Sequence, residues 1–290
     1  MKEDITALFV CLDDFCITYE KAIKASAPTE DGKRNYKTRV PGLSLSEILT
    51  IILMFQRSSC RNFKHFYQKY LPEYDKEFPG LCGYNRFIQL MPRALTPLAF
   101  LLNLLSAQSE KTGLYFADST RVPVCHNKRI FGHKVFSGYA ARGKSTMGWF
   151  FGFKLHIVIN HKGEIMAARL TSGNMDDREP LPELVQALKG LLFADKGYIS
   201  SELFHELFEE GLKLITPLKR KMKPAILPVQ EKILLRKRAI IETVNGVLKE
   251  TFQLVHTRHR SVKNFLVHIG ATLVAYSLKS KKPSIRFSAA

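Results

Sequence analysis

The chain has 290 residues, 46% of them hydrophobic and 24% charged, enough for a sizeable core in one large domain or two medium ones. Five cysteines, an odd number with no C-x-x-C pair, argue against a disulfide scaffold or a structural zinc site and fit a reducing cytoplasm. The opening Met1-Lys2-Glu3-Asp4 lacks an apolar signal core, and the apolar stretch around Pro97–Leu105 reads as too short and interrupted to span a bilayer. The net charge is +18 and unevenly placed. No acid occurs between Ser119 and Gly163, where Arg121, Lys128, Arg129, Lys134, Arg142, Lys144, Lys154 and Lys162 fall, and none follows Glu250. One-sign stretches attract polyanions, so nucleic acid is the favoured partner over an anionic membrane.

Residues 1–108 read as mostly helical. Ile5–Ala25 has helical spacing, 26–42 is rich in breakers, and Leu43–Phe55 is a helix capped by Ser44 or Ser46. Cys60–Leu71 is aromatic and basic, and Tyr84–Leu105 is a helix pair split near Pro92 and Pro97. A helix-turn-helix DNA reader and an ordinary helical bundle fit this region equally well. Asp13 and Asp14 read as a solvated helix face.

From about residue 113 strands take over. Leu114–Ala117 is a short apolar run ending in Asp118. Phe151–Ile159 alternates, with Lys154 and His156 on its polar face, and Asn160–Gly163 turns it into a third strand, Ile165–Thr171. Trp149 reads as strand core, with a base-stacking platform as the alternative. Asp176 or Asp177 is expected to cap a helix carrying Leu184, Val185 and Leu188, as a cap and not a metal ligand. Leu191–Ala194, ending in Asp195, is the fourth strand. A helix from Ser200 or Ser201 to Glu210 and a fifth strand, Leu212–Leu218, follow. After the basic loop Lys219–Pro224, one long helix is predicted from Val229 to Phe252. Five strands interleaved with helices predict a mixed α/β sheet flanked by helices.

Leu114-Tyr115-Phe116-Ala117-Asp118 is echoed by Leu191-Leu192-Phe193-Ala194-Asp195. An acid at the end of a buried strand is costly unless its charge is compensated. Two such ends side by side repel, so one carboxylate binds a proton unless a cation sits between them. A hard divalent cation with oxygen ligands suits the pair. On the long helix Arg238, Glu242 and Lys249 fall on one face, with Asn245 on the same stripe; taken alone, they read as a solvated ion-pair ladder. His256 and His259 read as basic surface residues, and Cys125-His126 as mere adjacency.

Three motifs in order, Ala117-Asp118-Ser119-Thr120, Ala194-Asp195-Lys196-Gly197-Tyr198 and Arg238-x3-Glu242-x6-Lys249, are separated by 77 and 47 residues between their acids. Gly173-Asn174-Met175-Asp176 lies between the first two. Over residues 113–275 the chain resembles the DDE transposases of bacterial insertion sequences. It departs from many relatives at Leu235, where they carry a Tyr. The resemblance implies a ribonuclease-H-like catalytic domain at 109–290 with a basic tail, behind the helical region at 1–108. For residues 1–108, which lie outside the resemblance, DNA-end binding is one reading beside an ordinary helical bundle. The resemblance implies that Asp118, Asp195 and Glu242 are catalytic and hold two divalent metal ions, Mg²⁺ or Mn²⁺. Arg238 and Lys249 would grip DNA, and Arg121, Lys196, Arg258 and Arg260 are further expected contacts. The implied activity is metal-dependent cleavage at insertion-sequence ends and strand transfer into target DNA. Implied partners are terminal inverted repeats and target duplex, bound by a homodimer on paired ends in the nucleoid-bearing cytoplasm. A nuclease of the same fold that cuts without joining, and a catalytically silent DNA-binding relative, are the alternatives.

Overall fold

The structure, a computed structural model, describes residues 5–26, 42–145, 148–218, 227–255 and 259–287. It divides into two compact units, Met1–Leu102 with Lys263–Ala275, and Asn103–Val262 with Tyr276–Ala290.

The first unit is helical. It contains α1 (Ile5–Ser26), α2 (Leu45–Arg57), the single turn α3 (Phe63–His65) and α4 (Tyr84–Leu90), and α5 (Leu95–Gln108) begins in it. Helix α2 starts at a capping box: Ser44 accepts from the Glu47 amide while the Glu47 carboxylate accepts from the Ser44 amide. It is buried nearly all round, so it forms the centre of this unit. Gln56 on α2 bonds His268 at 2.9 Å and Thr272 at 3.3 Å, inside the core. Asp13 is not merely solvated, because its carboxylate accepts from Ser46 at 2.5 Å. A 3₁₀ turn, Met91–Ala94, joins α4 to α5, with Pro92 in its first turn where no amide donor is needed. The resulting run Tyr84–Gln108 is, by length and composition alone, long and apolar enough to cross a bilayer. The expectation of a stretch too short for that does not hold.

The second unit is built on a mixed sheet of β1 (Leu114–Cys125), β2 (Ala141–Ser145), β3 (Gly148–Asn160), β4 (Ile165–Ser172), β5 (Gly190–Phe193) and β6 (Leu212–Ile215). Among the described residues this makes six strands, one more than expected. The extra one, β2, is short and polar and pairs with the start of β3, while β4 pairs with the rest of the same β3 edge. The β2, β3 and β4 strands are antiparallel to their neighbours, whereas β5 and β6 add in parallel on the other side of β1.

Three expectations fail locally. Strand β1 does not stop at Asp118. Its parallel pairing to β5 ends at Phe116–Phe193, but its antiparallel ladder to β3 continues to Cys125. The long helix predicted from Val229 to Phe252 is broken in two, α8 (Val229–Lys237) and α9 (Ala239–Glu250), at Arg238. Neither Asp176 nor Asp177 caps the short helix α6 (Leu181–Val185), which starts at Pro180. Helix α7 (Ser201–Glu209) is capped as expected, with Ser200 accepting from the Leu203 amide. The last helix, α10 (Val262–Ser277), follows.

Strand alternation sorts the core. Tyr115, Ala117, Leu192 and Ala194 join Leu181, Val185, Leu203 and Leu207 of α6 and α7 in one buried cluster. Phe116 and Phe193, fully buried, stack at 5.4 Å on the opposite face. Helix α9, which buries Ile241, Val244 and Leu248, packs against β1.

Candidate active site

The echoed pentapeptides lie in register. Leu114, Tyr115 and Phe116 pair with Leu191, Leu192 and Phe193. Two residues beyond the last pair, alternation returns the chain to the Phe116/Phe193 face, and there stand Asp118 and Asp195. On α9, Glu242, Gly246 and Lys249 follow at i, i+4 and i+7, one stripe of the helix. Asp118, Asp195, Glu242, Gly246 and Lys249 line a single cavity of about 470 Å³, together with Arg121, Lys144, Lys154, Asp177, Arg238 and Asn245. Five cationic side chains and four carboxylates therefore share one cleft.

Burial pushes the Asp118 carboxyl up from its usual 3.8 to about 6, with Asp195 and Glu242 adding repulsion. The Arg238 guanidinium and a Ser119 amide oppose the rise. Asn245 donates to Asp118 Oδ2 at 2.9 Å and fixes the carboxylate. Arg238 donates to Glu242 Oε1 at 2.7 Å and lies 3.8 Å from Asp195 Oδ1. The helix break at Arg238 precedes Glu242 by one turn, so a cation is held against both acids. Lys249 is pushed down by burial and by Arg121, with Asp118 acting against this.

A second polar layer adjoins these groups. Lys154 donates to Asp177 at 2.9 Å and to the Met175 carbonyl at 2.7 Å. His156 is buried, bonded through Nε2 to Thr171 at 2.8 Å, and burial pushes it down to about 4, so it is neutral. Tyr198 of the Lys-Gly-Tyr turn is buried, and burial, Asp177 and Asp118 push its hydroxyl well up, with Ser119 acting against the rise. Asp177 thus serves as a partner of Lys154, and Asp176 binds the Arg178 guanidinium.

The donor set suits a hard divalent cation, since it offers three carboxylates and the buried Asn245 Oδ1, which has no donor. Among the described residues no three His, Cys, Asp or Glu side chains converge closely enough to hold a metal as they stand. The Asp195 and Glu242 side chains are 53% and 58% exposed, free to swing from Arg238 onto an ion.

Of the other residues expected to matter, Arg121, Arg238 and Lys249 line the cleft and Arg260 lines an adjoining cavity. Lys196 is exposed in the turn after Asp195, away from the lining, and Arg258 lies outside the described residues. Sequence reasoning missed Lys144, Lys154 and Asp177 as cleft residues. Only the acid-free stretch carried a signal for the two lysines.

A family model described as a transposase DDE domain matches residues 108–262, just over half of the chain. No curated protein and no solved structure shows a match.

Proposed function

The chain belongs to the DDE transposase family, and from that premise we propose that it cuts DNA at the ends of a bacterial insertion sequence and joins the freed strand to target DNA. The observation that carries this reading is the shared cleft of Asp118, Asp195 and Glu242, reached from two neighbouring parallel strands, just past their last shared pair, and from one helix face. The order β4-β3-β1-β5-β6, antiparallel then parallel, supports a ribonuclease-H-like sheet. Asp118, Asp195 and Glu242 would hold two divalent ions, Mg²⁺ or Mn²⁺. When bound, these supply charge neutralisation for an in-line phosphoryl displacement and acidify water.

The chain's own residues do the rest. Asn245 holds Asp118 in one orientation. Arg238 keeps the carboxylates compensated until the ions arrive, then turns to a phosphate, for which its planar fork is suited. Arg121, Lys144 and Lys249 supply point charges along the DNA backbone, so binding weakens steeply with salt. No covalent protein–DNA intermediate is needed, because water and then the freed 3′-hydroxyl attack phosphorus directly. A homodimer on paired inverted repeats, acting on nucleoid DNA, completes the proposal.

The test is incubation of a donor plasmid carrying the gene and its flanks with Mg²⁺, comparing wild type with Glu242→Gln. Wild type should cut at the element ends and join them to target, while the variant binds DNA and does neither. Cutting without joining would leave a nuclease. Two folded, DNA-binding and equally inert proteins would leave a silent binder.

A further inference from the structure

We propose that the cavity beside the catalytic cleft is a subsite for unpaired DNA, seating a nucleotide with its base against Trp149 and its phosphate among Arg121, Arg129 and Arg260. The substrate class rests on the transposase reading; the site itself rests on separate observations.

The cavity measures about 630 Å³ and shares Arg121 and Phe150 with the catalytic cleft. Arg121 is three residues beyond Asp118 on β1, about 10 Å along the strand. A strand held at the catalytic carboxylates therefore reaches the cavity within a short stretch. Its lining holds three arginines and three histidines and no acid. That composition selects anions, and the volume falls in the range that takes one small molecular unit.

Trp149 decides what that unit is. Sequence reasoning favoured strand core for it, yet its side chain is left 49% exposed at the cavity wall. A large apolar ring forgoing burial in a chain with a sizeable core calls for a use. The β2–β3 hairpin sets Lys144 directly across from it and Arg142 two residues away. Arg142 Cζ lies 4.8 Å and Lys144 Nζ 5.7 Å from the ring centroid. Asn127 holds the strand there by donating to the Trp149 carbonyl at 2.7 Å. An aromatic face ringed by cations matches a base with its phosphate. In a duplex the base faces are hidden by their neighbours, so such a platform serves unpaired DNA.

Trp149 is the single tryptophan of the chain, so its emission reports on this cavity directly. Full-length protein in EDTA is titrated with a six-residue oligothymidylate and, separately, with a blunt duplex. Binding is followed in parallel by anisotropy of labelled DNA for wild type, Trp149→Leu and Trp149→Phe. The oligothymidylate should quench the emission to saturation. Trp149→Leu should weaken it by about fivefold to a hundredfold, the range for one lost stack, with Trp149→Phe largely restoring it and duplex affinity little changed. Bound oligothymidylate with unaltered emission overturns the proposal, as does equal quenching by the duplex or equal loss of both ligands in Trp149→Leu. Absent quenching beside Glu242-dependent cleavage defeats the subsite alone. Quenching without cleavage leaves the subsite and defeats the enzymatic reading.

Discussion

Asp118→Asn should stabilise the metal-free protein at neutral and alkaline pH. The carboxyl is partly buried between β1 and α9 and titrates near 6 when folded, against a usual 3.8. A group whose folded value is raised contributes stability that is fully present below 3.8 and is lost as pH climbs through about 6. At about 1.4 kcal/mol per unit, the ionised wild type above pH 7 carries a cost on the order of 3 kcal/mol. Asparagine keeps the shape, keeps an oxygen to accept from Asn245, and removes the charge. Urea unfolding in EDTA, followed by circular dichroism from pH 4 to 8, should show the variant more stable than wild type by up to about 3 kcal/mol at pH 8. The gap should close towards pH 4. At pH 8, Mg²⁺ should raise the stability of wild type and leave the variant nearly unchanged, since the ion's gain needs the carboxylate. Identical curves for the two proteins at pH 8, or a gap between them that does not widen from pH 5 to 8 without metal, would refute the argument that this acid is buried at a cost; the comparison is with the variant because neutral, buried His156 adds its own gain in stability over the same range.

Asn245→Leu removes the donor to Asp118. A hydrogen bond to a charged group is worth about 1.5–3 kcal/mol, so cleavage should fall by roughly tenfold to a hundredfold. The acid limb of its pH–rate profile should move to higher pH. Arg238→Ala frees Glu242 and Asp195 from their resident cation. Half-saturation by Mg²⁺, read by thermal shift, should then need about fivefold less ion, the equivalent of a part-exposed ion pair, although strand cleavage is lost. Phe193→Ala empties the fully buried stack on Phe116 and should cost about 3–5 kcal/mol in urea unfolding.

The three cleft carboxylates can be read from the chain because their positions follow from local rules. A period of two along a strand and 3.6 along a helix puts Asp118, Asp195 and Glu242 on faces that any packing of this sheet brings together. The echo was legible for the same reason, since similar pentapeptides buried on both faces satisfy the same neighbours; the structure shows them side by side in register. The cap at Ser200 and the capping box at Ser44 were equally local.

Other features depend on partners far away in sequence. Strand β2 has little apolar patterning and exists because the start of β3 offers it a free edge. The continuation of β1 past Asp118 is supported by β3, not by its own residues. Asp177 looked like a cap until Lys154, 23 residues earlier, took its carboxylate. Trp149 looked like core because an aromatic flanked by Phe150 and Phe151 usually is; its exposure follows from where the sheet edge ends. The sequence by itself determined the cleft's acids, its positive field and the element types, all set by short-range periodicity and composition. Only the tertiary structure decided which cations compensate those acids, that the predicted long helix breaks at Arg238, and that a second basic cavity opens beside the first, because each depends on groups brought together by long-range packing.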